Sequence, residues 1–495
     1  MTETRNGRWA RLADWFETRL GLTYPLLRPA PIYSINPFYW LGALTVVAFL
    51  IQGVTGIMMM LYYTPSPTDA FSSTQYIFQS VYYGRFLQTV HLYTAYAMIM
   101  LAFMHMMRGY FVSVYKKPRE MMWVVGMIMG FVTLGFGFTG YLLPWTVVSK
   151  SATDVGIGII DALPAQISSF LSFLIVGAGG DATELLRFYD LHVVVLPAVL
   201  LVLLTVKMYM LETHGIAEPT SGPPIDQKAS RSLPIFPDVT FYLLGLAAMF
   251  GSAMLLISAV FPLSLPPEYS PQLAAQFTPQ PDWYFLWVYQ ILKISAFEGS
   301  GLPVALGLVT LLFVVLIALP FVDRGSSRRV AQRPVFVTVG LIFIAEIFTL
   351  AYWGLESPGQ VIATDAAVLV LGAIALLVGT SSFALYTVLG ARTASKPDSK
   401  VNFPNTQGSF RTALAFVLFL SGGALAIGTS LNAMVRVVMY GASTLSMVQL
   451  GLSIGFLAIV AFSTVFFMYR IELAAASLKR RLNWLEIGRS TNDSH

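Results

Sequence analysis

Ten stretches of mostly apolar residues recur along this 495-residue chain, each of the roughly 20 residues that a helix needs to cross a bilayer. They fall near 38–63, 87–112, 121–143, 190–212, 239–261, 303–324, 334–354, 364–390, 412–434 and 445–469. Inside lipid, a backbone N–H or C=O finds no water, so spanning segments must satisfy themselves as helices. The fold expected is an all-α polytopic membrane protein with about ten transmembrane helices. Charged residues make up only 11% of the chain against 56% hydrophobic, which excludes a soluble domain, a disordered chain and a nucleic-acid-binding module. The first apolar stretch follows an Arg-containing leader over 1–37 and is too long for a signal-peptide core. Between the third and fourth stretches, 157–177 carries Pro164 and Ser168-Ser169 and reads as a surface hairpin. A second irregular stretch, 262–300, is rich in Pro and aromatics.

Lys and Arg set the expected direction. Five lie in 1–37, three in 113–120, two in 213–238, four in 324–333, four in 391–411 and five from Arg470 on. The alternate loops hold only five: Arg85, Lys150, Arg187, Lys293 and Arg436. The positive-inside rule then puts both termini in the cytoplasm of a prokaryotic plasma membrane. The loops at 64–86, 144–189, 262–302 and 355–363 face outward on that reading.

The chain has five His, and His91 and His105 lie 14 apart on one expected helix. At about 100° and 1.5 Å per residue they share a face and stand about 21 Å apart. His192 on the fourth helix is level with His91, and position 207, a lysine, is level with His105. A hydrogen-bonded interior histidine accounts for one such residue, but poorly for three at matching depths. Gly42 and Gly56 repeat the 14-residue spacing on the first helix, and Gly126 and Gly140 repeat it on the third. Glycine lets a flat ring approach the backbone, although glycines also serve helix packing. With no Cys anywhere, iron–sulfur clusters and covalent haem attachment are excluded within the chain. Together these residues point to two planar metallocofactors, hence haems, in a four-helix bundle at the N-terminal end.

The same residues resemble the cytochrome b family, the membrane core of cytochrome bc complexes. The similarity covers roughly 30–355 and rests on Tyr39-Trp40-Leu41-Gly42, Gln52 and Thr55-Gly56. It continues in HLYTAYAMIMLAFMHMMRGYF, KKPREMMWVVG, GFTGYLLPW, RFYDLHVVVLP and PDWYFLWVYQILK. Several stretches look closest to the plastid type, whose two parts are here one chain. The resemblance implies two stacked haems, of the b type or an a/o-type variant. It also implies a quinol-oxidising pocket outside and a quinone-reducing pocket inside. By position, His91 and His192 bind the outer haem and His105 the inner one. Arg108 matches the arginine that pairs with a haem propionate; its outer counterpart is Gln88 here, with Arg85 one turn away.

Lys207 departs from the pattern, standing where the family has the second ligand of the inner haem. Ligation by the neutral amine is the preferred expectation. A five-coordinate inner haem, or a lost one with Lys207 reaching the cytoplasmic surface, are the alternatives. Trp40 replaces the cysteine that tethers an extra haem in the plastid type, so that haem is expected to be missing.

For quinol oxidation the resemblance assigns Pro281, Asp282, Trp283 and Tyr284, with Asp282 in place of the usual Glu as proton acceptor and Tyr284 beside it. Tyr141 and Trp145 are expected to line the same pocket, and Glu212, His214 and Asp238 the inner quinone pocket. The expected divisions are a leader (1–37), the di-haem bundle (38–215), a quinol-site part (216–355), and added helices with a basic tail (356–495). The implied activity is bifurcated quinol oxidation coupled to proton translocation, in a homodimer surrounded by lipid. A Rieske iron–sulfur protein is required as partner, and a c-type cytochrome, copper protein or terminal oxidase is the onward acceptor. Two rivals stand beside this: a transporter or channel using intramembrane His and Lys, and the haem anchor of another oxidoreductase.

Overall fold

Helices dominate because nothing else pairs every backbone polar group within one apolar segment. The computed structural model describes residues 29–177, 180–218, 232–235, 239–325 and 327–394. Among them, eight helices are long and apolar enough to cross a membrane. They are α1 (Leu41–Met60), α2 (Gly84–Phe111), α3 (Glu120–Leu142) and α4 (Asp181–His214). After them come α5 (Thr240–Val260), α6 (Leu302–Val322), α7 (Pro334–Glu356) and α8 (Thr364–Ala394). The ninth and tenth expected spans and the basic tail lie outside the described residues. Many apolar side chains point outward, Leu61 and Leu369 each being 73% exposed, as a lipid-facing surface requires.

The contacts divide the chain into two compact units. One comprises Met1–Val47, Pro223–Phe261 and Lys400–His495; the other comprises Ala48–Gly222 and Pro262–Ser399. In the first, the three-residue strands Pro29–Pro31 and Ser232–Pro234 pair antiparallel. The Trp40 indole donates to Ser34 O at 2.6 Å. Trp40, Ala43 and Val47 face Leu243 and Ala247 of α5 across an apolar cavity of about 260 Å³.

In the second unit, α4 changes pitch where it matters. Residues Leu191–Val195 form a π turn before the α-helix resumes at Leu196. Pro197 has no N–H to return to the Val193 carbonyl, so the helical ladder widens there. The wide turn carries His192.

The expected hairpin at 157–177 is helical but does not span. Val147–Asp161 is followed by Ala165–Leu171 and a second π turn, Ser172–Val176. Val147–Asp161 starts at a capping box in which Thr146 and Ser149 satisfy each other's backbone N–H. The 262–302 loop is pinned here through Val147 N to Pro267 O (3.0 Å) and Tyr269 N to Trp145 O (3.1 Å). Phe188 and Leu185 of α4 pack with Leu142 and Trp145 beneath it.

At the opposite ends of α2, α3 and α6, Tyr110, Tyr115, Trp123 and Leu316 form a second core, with the Trp123 indole donating to Leu316 O at 2.7 Å. An ion cluster closes that end. Asp323 pairs with Lys116 at 3.1 Å and with Arg333, and accepts from the Tyr115 hydroxyl at 2.7 Å. Burial opposes ionisation of Asp323, but the hydrogen bonds from Tyr115 and Lys116 and the Arg333 charge outweigh it. They hold the carboxyl below its ordinary range.

Candidate functional site

The site is assembled from α1 to α4 at two levels. At the first, the imidazoles of His91 (α2) and His192 (α4) stand edge-on, with ring centroids 6.3 Å apart and an interplanar angle of 62°. Thr55 and Gly56 of α1 stand against His91, and Thr139 and Gly140 of α3 stand against His192. A Cβ at Gly140 would lie 2.5 Å from His192 Cε1, and one at Gly56 3.4 Å from His91 Cε1. Glycine at 140 is therefore a steric necessity, whereas at 56 an added methyl fits in near-contact.

Hydrogen bonds fix the tautomer of the His91 ring. Thr55 Oγ1 lies 2.7 Å from Ile51 O and 2.8 Å from His91 Nδ1. A hydroxyl has a single hydrogen, and the carbonyl can only accept it, so the ring N–H donates to the threonine oxygen. The His91 imidazole is thereby left with a bare Nε2, the form a metal ion requires. Thr139 stands likewise, with Gly135 O at 2.8 Å and His192 Nδ1 at 3.2 Å, and the Phe136 carbonyl is a further hydrogen-bond partner of the His192 ring. Two metal–nitrogen bonds of roughly 2 Å and two ring radii of about 1 Å would put the centroids about 6 Å apart, so the spacing of this pair fits a metal ion held by both rings.

The second level holds His105 and Lys207. Lys207 Nζ lies 2.6 Å from where a Cβ would stand on Gly126, so the third helix again yields space to a candidate ligand. Lys207 and Arg108 are the charges that act on His105, whose Nδ1 is buried with no hydrogen-bond partner. Arg108 sits in the last turn of α2, one turn beyond His105. The donor set, an imidazole and an amine, fits a second metal-bearing group. Arg85 donates from Nε to Leu263 O at 2.6 Å, tying α2 to the 262–302 loop, while the buried Gln88 Oε1 has no hydrogen-bond partner.

Asp282 is brought against α2, five residues along from His91. Tyr96 donates to its Oδ1 at 2.9 Å and Tyr284 to its Oδ2 at 3.2 Å. Burial holds the Asp282 carboxyl above its ordinary range, and the two phenols, which favour the anion, only partly offset it. The Tyr284 hydroxyl occupies the space that a side chain at Gly137 would fill. Trp283, 38% exposed, packs edge-on against both Tyr96 and Tyr284. Tyr141 lies within electrostatic reach of Asp282. Trp145 is buried, in left-handed backbone conformation (φ 52°), and belongs to the wall shared by Phe138 and Phe188. Phe138 also meets Phe285, the neighbour of Tyr284, so wall and pocket are continuous. Pro281 is half-buried at the start of this segment.

The other expected pocket is not gathered in this way. Glu212 and His214 are exposed on the last turn of α4, and the His214 carbonyl accepts from Arg119 at 3.1 Å. Asp238 lies outside the described residues. Gly42 stands at the second residue of α1. Sequence reasoning missed Thr55, Thr139 and Tyr96 as site residues. The repeated Thr-Gly dipeptide was a readable signal for the first two; Tyr96 had none.

Two family models match the chain. The one described as Cytochrome b(N-terminal)/b6/petB covers residues 96–271, and the one described as Cytochrome b(C-terminal)/b6/petD covers 274–374. A cytochrome bc complex cytochrome b subunit of Chlorobaculum thiosulfatiphilum is 34% identical over 355 residues, 69% of this chain and 80% of that protein. Cytochrome b6 of Heliobacterium mobile is 40% identical over 191 residues, 39% of this chain and 90% of that one. Cytochrome b of Sulfolobus acidocaldarius is 29% identical over 423 residues, 79% and 74% respectively. Among solved structures, a chain of a hyperthermophilic respiratory Complex III superposes with a TM-score of 0.63 at 23% identity, covering 77% of this chain and 99% of that chain, which is a likeness of fold.

Proposed function

The chain belongs to the cytochrome b family, with N- and C-terminal parts in one polypeptide, and from that premise we propose that it is the di-haem, quinol-oxidising subunit of a bc-type respiratory complex. The observation that carries this reading is the His91–His192 pair. The two rings lie 6.3 Å apart, both Nδ1 atoms are engaged, and Gly56 and Gly140 leave space beside them. His91 and His192 would hold one haem, and His105 and Lys207 the other, with the Arg108 cation one turn beyond His105 available to a haem carboxylate. Bound there, the haems supply one-electron transfer between the two levels.

The chain's own residues handle the protons. Quinol oxidation releases two protons with its two electrons, so the pocket must hold an acceptor near the ring. Asp282 is that acceptor: burial raises its affinity for a proton, and Tyr96 and Tyr284 orient its two oxygens. Pro281, Trp283, Tyr141 and Trp145 shape a flat apolar slot around it. Glu212 and His214, exposed at the end of α4, would mark the second, quinone-reducing side, near the cytoplasm. Protons released on one face and taken up on the other charge the membrane.

As the family resemblance implies, the first electron leaves to a partner's cluster, a Rieske iron–sulfur protein, since this chain has no Cys to hold one. A c-type cytochrome, copper protein or terminal oxidase follows. The functional complex is a homodimer in a prokaryotic plasma membrane with both termini cytoplasmic. Residues 38–215 form the haem-binding part and 216–355 the quinol-site part; the family match runs on into the eighth span, to residue 374, and the ninth and tenth expected spans, outside the described residues, are an addition.

A redox titration of the purified full-length protein tests this. Two haem components are expected in the reduced-minus-oxidised spectrum, one of them lost in His192→Ala, and a short-chain quinol should reduce the protein. A wild-type spectrum without haem bands would end the reading.

A further inference from the structure

The two levels differ in one respect that bears on electron flow. At the first, Nδ1 of each candidate ligand ring lies within hydrogen-bond distance of a threonine oxygen that is itself anchored, and the Phe136 carbonyl adds a second partner to the His192 ring. Thr55 is tied to the Ile51 carbonyl and Thr139 to the Gly135 carbonyl, each by a bond within its own helix. At the second level His105 Nδ1 is equally buried and has no hydrogen-bond partner, and the opposite position is an amine with no ring. Hydrogen-bonding the far nitrogen of a metal-bound imidazole raises its basicity and fixes its orientation. A more basic ligand stabilises the higher charge on the metal, which favours the oxidised state.

We propose that Thr55 and Thr139 are positioning residues that lower the reduction potential of the haem held by His91 and His192, and so set the direction of electron transfer toward the His105–Lys207 level. The threonines touch neither the metal nor the substrate and act only through the histidines. The pairing is reciprocal across the site: α1 supplies the hydroxyl for the α2 histidine, and α3 supplies it for the α4 histidine. Each threonine immediately precedes the glycine that leaves space beside the same ring, so one dipeptide provides both clearance and hydrogen bond. The proposal rests on the haem-ligand reading above, and the experiment separates the two.

Thr55→Val and Thr139→Val keep the shape of the side chain and remove only the hydroxyl; Thr55→Ser and Thr139→Ser restore it. The purified full-length variants are compared by haem content, potentiometric titration of each haem band and low-temperature EPR. Each Val substitution is expected to shift the midpoint of the first-level haem upward, with a larger shift in the double variant. The second haem should stay where it is, and each Ser variant should return to the wild-type value. Loss of the orienting bond is also expected to weaken haem retention at that level about 10-fold or more. Loss of that haem in the Val variants with retention in the Ser variants therefore supports the same role. Two haems present in both Val variants at unchanged midpoints overturn the proposal while leaving the ligand assignment standing. A wild-type protein without haem removes the ligand assignment itself, and the proposal with it.

Discussion

Replacing Tyr96 by Phe removes a single oxygen from the middle of α2 and should change the pH dependence of quinol oxidation. Tyr96 donates to Asp282 Oδ1 at 2.9 Å, within the normal range for O–H···O bonds, whereas the bond from Tyr284 to Oδ2 is long at 3.2 Å. Asp282 accepts a proton only as carboxylate. Burial already holds its pKa above the ordinary range, and the phenol donors pull against that. Losing the Tyr96 donor must therefore raise it further and move the acid limb of the rate profile toward higher pH. A hydrogen bond to a charged group is worth about 1.5–3 kcal/mol, and water entering the half-exposed pocket returns part of it. The lower end, about 1.5 kcal/mol, corresponds to roughly a tenfold slower rate on the acid limb, with recovery at alkaline pH. Tyr284→Phe should move the limb in the same direction by less, and Asp282→Asn should lower the rate about 100-fold or more at every pH. Steady-state quinol oxidation by the complex, followed across the pH range with a soluble acceptor, reads all three. A Tyr96→Phe profile that superimposes on the wild type refutes the reasoning.

At the second haem level, Lys207→His should convert the site to two imidazoles and alter its spectrum and midpoint, and Lys207→Ala should leave it with one protein ligand; unchanged spectra in both would falsify ligation by Lys207. Gly140→Ala is expected to impair haem incorporation because its methyl would stand 2.5 Å from His192 Cε1, whereas Gly56→Ala, at 3.4 Å from His91, should retain nearly full haem content; equal occupancy in both contradicts the clearance argument. Asp323→Asn leaves the buried Arg333 without its carboxylate and should cost about 3–5 kcal/mol, read as a lowered thermal unfolding midpoint in detergent, with the exposed Asp365→Asn as control. Because the folded-state pKa of Asp323 is depressed, its contribution is fully present above the ordinary carboxylate range and disappears as pH falls through the lowered value; a midpoint difference between Asp323→Asn and wild type that persists unchanged into strong acid contradicts this.

The eight described spans and the shared faces of the candidate ligands were legible in the amino-acid order because both are local properties. Hydrophobic length fixes which segments cross a bilayer, and a 14-residue interval fixes which side chains share a helical face, whatever lies around them. α1 to α8 accordingly begin and end within a few residues of the apolar boundaries, except α4. Its first turns extend back to Asp181, beyond where hydropathy alone would start it. His91, His105, His192, Lys207 and the glycines at 56, 126 and 140 could be named without a structure for the same reason. Tertiary packing decided which nitrogen the His91 imidazole presents, because that depends on a hydroxyl 36 residues away in sequence. It also set Asp282 against Tyr96 across a separation of 186 residues, and Asp323 against Tyr115 across 208. No periodicity encodes such meetings. They arise when buried polar groups, cut off from water, must find partners on whichever helix the packing brings near.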